Sequence, residues 1–179
     1  MHPQQQSAIG GNLANQQVPI SCSHIDNSKS GIYKIRVSSE RPIPPTYVWC
    51  DMNTDGGGWT VIHRRIDGTI NFNRNWNDYK FGFGNIAAEY FIGLDKLHEI
   101  TTSILHELLI VMEDFNGTSR YAKYNSFGIG PEEQEYILNL LGNYDGTAGD
   151  GLSYSAGHKF STFDNDNDGW VEGNCNFFF

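Results

Sequence analysis

The sequence predicts an α+β domain, mainly antiparallel sheet with few short helices and long loops. Three observations carry that prediction. Short runs rich in Ile, Val, Tyr and Trp recur between clusters of Gly, Pro, Asn and Asp, the spacing of strands and turns. One segment, residues 94–102, is the best candidate for a helix. The composition pairs 20 Gly and 13% aromatic residues with only 18% charged ones. That mixture suits a loop-rich fold with tight turns, not a helical bundle or a disordered chain. A chain of 179 residues fits one domain with a sizeable core.

Taken in order, residues 1–20 are rich in Gln and Asn and read as a flexible leader or linker. They lack the charged-then-apolar pattern of a secretory signal. In residues 31–37, Ile32, Tyr33, Ile35 and Val37 interleave with Lys34 and Arg36, a strand pattern. Residues 41–45 are a Pro-rich connection, and residues 47–52 are a second strand. The turn 53–58 leads into a third run, 59–66, and the three runs should form a small antiparallel sheet. Phe72, Trp76, Tyr79, Phe81 and Phe83 are unevenly spaced, which predicts an irregular core segment more than a ligand-stacking row. Residues 90–93 read as a short strand, and Leu94, Leu97 and Ile100 share one helical face. Residues 107–115 fit helix or strand. The Asn116-Gly117 turn and the β-prone run 119–124 after it favour a hairpin. Residues 136–141 are a further strand, before a Gly-rich loop over 142–157. There is no internal repeat.

The chemistry concentrates near the C-terminal end, where Asp164, Asp166 and Asp168 alternate with Asn165 and Asn167 before Gly169. Carboxylates this close repel unless a cation lies among them. Hard oxygen donors without a His or thiolate pattern point to calcium rather than zinc. Carbonyls of Trp170 and of Glu172 or Gly173 could complete the shell. The EF-hand pattern fails, because position twelve of a loop starting at Asp164 is Cys175 and not Glu. The competing reading is a solvated Asx turn that binds nothing.

Several function classes are excluded or unsupported. A net charge of −9 argues against a nucleic-acid backbone or an anionic membrane as partner. No apolar run approaches the roughly 20 residues that cross a bilayer. His98-Glu99 and His106-Glu107 begin like a zinc-protease motif, but Thr102 and Ile110 stand where the second His is required. Glu113 and Asp114 are sequence neighbours and face opposite sides of a strand, wrong for a shared acid–base pair. Gly57-Gly58 and Gly82-Phe83-Gly84 lack the remainder of any phosphate-loop motif and read as turns. Nothing argues for an enzyme. Asn116-Gly117-Thr118 is an N-glycosylation acceptor triplet on the expected hairpin tip. Cys22, Cys50 and Cys175 allow one disulfide and leave one thiol over.

Assembled in order, these features resemble a fibrinogen-related domain, the globular module of fibrinogen chains, ficolins, tachylectins, angiopoietins and tenascins. The matching stretches run from Cys22 and Gly31-Ile-Tyr33 through Cys50-Asp-Met-Asn-Thr-Asp-Gly-Gly-Gly-Trp59. They continue with Gly82-Phe-Gly-Asn85 and Glu89-Tyr-Phe-Ile-Gly-Leu94, and end with Phe160-Ser-Thr-Phe-Asp164 and Gly173-Asn-Cys175. The resemblance implies a Cys22–Cys50 disulfide. It implies calcium held by the carboxylates of Asp166 and Asp168 and by carbonyls of Trp170 and of Glu172 or Gly173. The spacing to Cys175 is one residue longer than the family pattern, which leaves that last ligand open. Asp164 would hold the turn without touching the ion. A cis peptide would join Asn174 to Cys175.

The resemblance also suggests a layout: a stapled subdomain over 21–66, a central sheet subdomain over 67–145, and the start of a calcium and ligand subdomain over 146–179. Relatives continue past the cysteine that aligns with Cys175. The chain therefore reads as a truncated domain, with Cys175 unpaired and the sugar pocket largely lost. The implied function is a secreted, calcium-binding, lectin-like recognition module of the innate-immune type, taking acetylated or carbohydrate ligands in intact relatives. The alternative is an adhesion or signalling module that binds a cell-surface protein or matrix partner. Oligomeric state is left open.

Overall fold

A computed structural model describes residues 18–26, 29–37 and 44–168. Alternation of side chains builds the first sheet. Strands β1 (Gly31–Ile35), β2 (Thr46–Asp51) and β3 (Trp59–Val61) pair antiparallel with β2 in the middle. The register runs from Gly31 opposite Cys50 to Ile35 opposite Thr46. Period-two geometry then sends Val48 and Cys50 into the core while Tyr47 stays exposed. Cys50 is joined to Cys22 by a disulfide, with Cα atoms 5.5 Å apart and both residues fully buried.

The β2–β3 turn is held by Asp51, whose carboxylate accepts the Asn53 and Thr54 N–H groups at 2.8 and 3.1 Å. Gly57 has φ +78°, and a Cβ there would lie 2.3 Å from the Met52 carbonyl oxygen. Gly57 is thus a close backbone approach, whereas a Cβ on Gly56 would meet open space.

The run 59–66 does not stay in one sheet. After β3, Ile62 gives its carbonyl to the Ile92 N–H at 2.9 Å. The chain then forms β4 (His63–Arg64) in a second sheet, of order β4, β6 (Tyr90–Phe91), β5 (Phe83–Gly84). One apolar run serves two sheets because it changes partner at Ile62.

The aromatic stretch expected to be irregular contains a six-residue helix, α1 (Trp76–Phe81). Asn75 caps it by accepting the Asp78 N–H at 2.8 Å, and Gly82 at φ +91° ends it. The helix expected over 94–102 is α2 (Leu94–Ser103), which buries Leu94, Leu97, Ile100 and Thr101. Strands β7 (His106–Glu113) and β8 (Ser119–Gly128) form the hairpin, with Glu113 opposite Ser119. On the other edge of β8 lie β9 (Leu140–Leu141) and β10 (Tyr144–Gly146).

The strand expected over 136–141 shrinks to β9, because Tyr136 has φ +47°, a left-handed conformation that breaks a strand. Conversely, β10 lies inside the stretch expected to be loop. The core joins Cys22, Ile35, Val48 and Cys50 to Tyr90, Ile92, Leu97, Phe127 and Tyr136.

Candidate functional site

The acidic loop is placed by its own turn and by α1. Thr162 and Asn165 exchange backbone hydrogen bonds at 3.0 and 3.2 Å, closing a tight turn. Asp164, inside that turn, accepts the Thr162 hydroxyl at 2.8 Å and the backbone N–H of Trp76 at 2.9 Å. Trp76 is the first residue of α1, so its N–H has no acceptor within the helix, and Asp164 supplies one from 88 residues away. The indole N–H of Trp76 donates to Glu132 at 3.2 Å, and its ring packs near Tyr136 and Phe160. Lys80, on the same helix, pairs with Glu132. The loop therefore sits on a braced helix.

Past Asp164 the loop is half-buried except at Asp166. Asn167 gives its backbone N–H to Ser161 Oγ at 2.9 Å and its amide to the Phe160 carbonyl at 3.0 Å. Asp166 accepts the Asp168 N–H at 3.3 Å and is exposed. Among the described residues no group of three His, Cys, Asp or Glu converges as a metal cage. Trp170, Glu172, Gly173, Asn174 and Cys175, named above for carbonyl donors, a cis bond and an unpaired thiol, lie outside the described residues. The described part holds two carboxylates two residues apart, Asp166 and Asp168, beyond the one at Asp164 that binds Trp76 and Thr162. Those hard oxygen donors fit a calcium-class ion.

Sequence reasoning missed Glu89 as a residue with a role of its own. It is fully buried, and its carboxylate gathers four backbone N–H groups: Ile66 at 2.6 Å, Asp67 at 3.0 Å, Gly68 at 2.9 Å and Ile70 at 2.9 Å. Arg65 Nε adds a contact at 3.4 Å. The Ile66 and Ile70 N–H groups above all hold its carboxyl well below the usual range, at about 2, against burial, which acts the other way. Glu89 thereby fixes the loop 66–70 against β6. In the sequence Glu89 stood only as the first residue of a family-matching stretch, and nothing tied its carboxylate to the loop after Arg65.

That loop, α1 and the start of the acidic loop border an open cavity of about 740 Å³ lined by Arg65, Phe72, Arg74, Tyr79 and Phe160 among others. Tyr79 packs edge-on against Phe83, and both it and Phe83 meet Phe91, so the aromatic residues form one cluster. Phe81 is exposed and stands apart from it. The histidines have structural surroundings. His98 Nδ1 bonds the Ile129 carbonyl, His106 Nδ1 bonds the Ile104 carbonyl, and His158 stacks on Tyr154. His63 packs on Phe72, and its pKa is lowered by burial and then by Arg65. Asn116 lies in the exposed β7–β8 turn, where Asp114 accepts its N–H at 2.9 Å.

The family profile described as fibrinogen beta and gamma chains, C-terminal globular domain, matches residues 21–178. The chain belongs to this family. Microfibril-associated glycoprotein 4 of Homo sapiens is 45% identical over 167 residues, 89% of this chain and 64% of that protein. The chain thus spans less than two-thirds of that relative's length. The fibrinogen-like globe domain of human ANGPTL6 superposes with a TM-score of 0.82 at 37% identity, over 97% of this chain and 74% of that one. Lamprey fibrin D-dimer complexed with the peptide Gly-His-Arg-Pro-amide gives 0.79 at 32% identity, over 96% of this chain and 59% of that one. As a fibrinogen-type domain, the chain is a binding or structural module and not an enzyme. Among the described residues no helix is long and apolar enough to cross a membrane.

Proposed function

We propose that this fibrinogen-type domain is a secreted, calcium-binding recognition module. The observation that supports it most is the division of labour in the acidic loop: Asp164 Oδ1 takes both the Trp76 N–H and the Thr162 hydroxyl, while Asp166, two residues on, is exposed and accepts the Asp168 N–H at 3.3 Å. Asp166 and Asp168 would hold the ion with carbonyls of Trp170 and of Glu172 or Gly173. Calcium would neutralise the carboxylates and stiffen the loop. In the lectin-like form of this reading, that stiffened side faces an acetylated or carbohydrate group. The buried disulfide and the glycoprotein relative fit an extracellular setting.

Thermal unfolding across a calcium titration tests the reading. Extracellular modules bind with Kd of about 10⁻⁴–10⁻³ M. At about ten to a hundred times Kd the native state gains about 1–3 kcal/mol, a midpoint rise of a few degrees. Asp166→Ala combined with Asp168→Ala should abolish the rise. No rise in the unaltered protein rejects the reading.

A second reading, contact with a protein partner, has its own observation. The β7–β8 hairpin exposes Val111, Met112, Phe115 and Tyr121. The lamprey neighbour is itself complexed with a peptide. Binding to a cell-surface or matrix protein that survives calcium chelation and excess acetylated sugar, and is lost with Val111→Ser and Phe115→Ser, would establish it.

A further inference from the structure

We infer that the cavity between loop 68–74, α1 and the turn 160–163 is a binding site for an anionic saccharide, a sugar bearing sulfate or carboxylate. The inference deepens the recognition reading and rests on it, yet none of the proposed calcium ligands lines the cavity. Three features carry it. The first is charge. In a chain of net charge −9, the cavity is lined by two arginines and by no carboxylate. Each guanidinium is held by its inner nitrogen: Arg65 Nε lies 3.4 Å from Glu89, and Arg74 Nε donates to the Asn71 carbonyl at 2.8 Å. Arg65 is braced further by Phe72, whose ring centre lies 4.1 Å below the guanidinium. Arg74 has one long contact from Nη1 to Asp78 at 3.8 Å, too far to use up its outer donors. Preorganised forks of this kind match sulfate and carboxylate oxygens two at a time.

The second feature is the company the arginines keep. Phe72, Tyr79 and Phe160 line the cavity together with the exposed residues Asn71 and Asn73. Aromatic carbon for C–H groups and side-chain amides for hydroxyls suit a sugar. The volume of about 740 Å³ lies in the range of small-ligand pockets.

The third feature is what the walls are not. They consist of a loop, a six-residue helix and a turn, with no strand among the lining residues. An extended acidic peptide would find no sheet edge to join. The geometry selects a compact ligand.

Titration calorimetry of the full chain in physiological salt tests the site with four probes of matched length. They are a sulfated hexasaccharide, a uronic-acid hexasaccharide, a neutral hexasaccharide and a hexaglutamate peptide. The sulfated or the uronic probe should bind at least tenfold tighter than the neutral sugar and the peptide. Arg74→Gln should weaken that binding at least tenfold at a temperature where circular dichroism shows the variant fully folded, since Arg74 holds its own loop through Asn71. Arg74→Lys should recover part of it, and Arg120→Gln, a charge change on β8, should leave it intact. The measurements are repeated with and without calcium. A lost calcium response with intact sugar binding sinks only the ion, whereas equal binding of neutral and charged sugars sinks this site. Tighter binding of hexaglutamate, or equal losses from Arg74→Gln and Arg120→Gln, would also overturn it.

Discussion

Glu89 is the residue on which an entire loop depends, since the N–H groups of Ile66, Asp67, Gly68 and Ile70 converge on one buried carboxylate. Glu89→Gln keeps the shape and removes the charge, so those donors lose a charge-assisted acceptor. The expected outcome is a melting temperature roughly 5–15 °C lower, read by calorimetry; an unchanged midpoint would show that the loop holds itself. The same residue sets an acid limit. Its folded pKa, about 2, lies below the ordinary carboxylate value of 4.5. Its stabilising contribution is therefore complete above about pH 4.5 and disappears as pH falls toward 2. Unfolding followed between pH 5 and 2 should steepen in the wild type and flatten in Glu89→Gln. Asp164 is the other residue of this kind, and Asp164→Ala should cost about 1 kcal/mol through the lost Trp76 and Thr162 hydrogen bonds. The turn-holding role of Asp164 came from the family resemblance, since its own neighbours show only an Asx-rich loop that could equally cage an ion. The role of Glu89 was not legible, because a buried acceptor has no local pattern when its donors are backbone groups about 20 residues earlier.

At the scale of elements, the junction between α1 and α2 is set by glycine. Gly93 has φ +102°, and a Cβ there would lie 2.6 Å from the Phe81 carbonyl carbon. Gly93→Ala should destabilise by roughly 2–4 kcal/mol. Gly149, at φ +88° with open space around it, should lose only about 1 kcal/mol on the same change. Equal losses would mean that strain, not collision, governs the junction. The disulfide fixes a different junction. Replacing Cys22 and Cys50 together by Ser opens a loop with a sequence separation of 28, a loss of about 3–4 kcal/mol by chain entropy, measurable in urea. The hairpin and α2 were legible because their signals are local: an Asn-Gly turn, and Leu94, Leu97 and Ile100 on one face. Helix α1 escaped notice because its six residues are mostly aromatic or polar and show no period. The partner change at Ile62 also escaped, since an apolar run reads the same whether it serves one sheet or two. At the hairpin tip, expression through a secretory pathway should add one glycan at Asn116, and Asn116→Gln should remove that mass.

For the molecule as a whole, most of the architecture follows from short-range patterns, while the site depends on contacts that cross the chain. The acidic run was visible as a cluster of oxygens, but the cavity beside it was not, because Arg65, Arg74 and Phe160 meet only after three separate segments have folded. The Asp164–Trp76 hydrogen bond has the longest reach of these, bridging 88 residues. Such a closure is expected to form after local turns and hairpins, since the entropy of joining distant segments must be met before their contact helps. Calcium held by this loop would then act on a part of the protein absent from the folding transition state. It should lengthen the lifetime of the native state and leave the refolding rate unchanged. A secreted domain with that property would be released into calcium-rich fluid already assembled, and the ion would govern how long it lasts there.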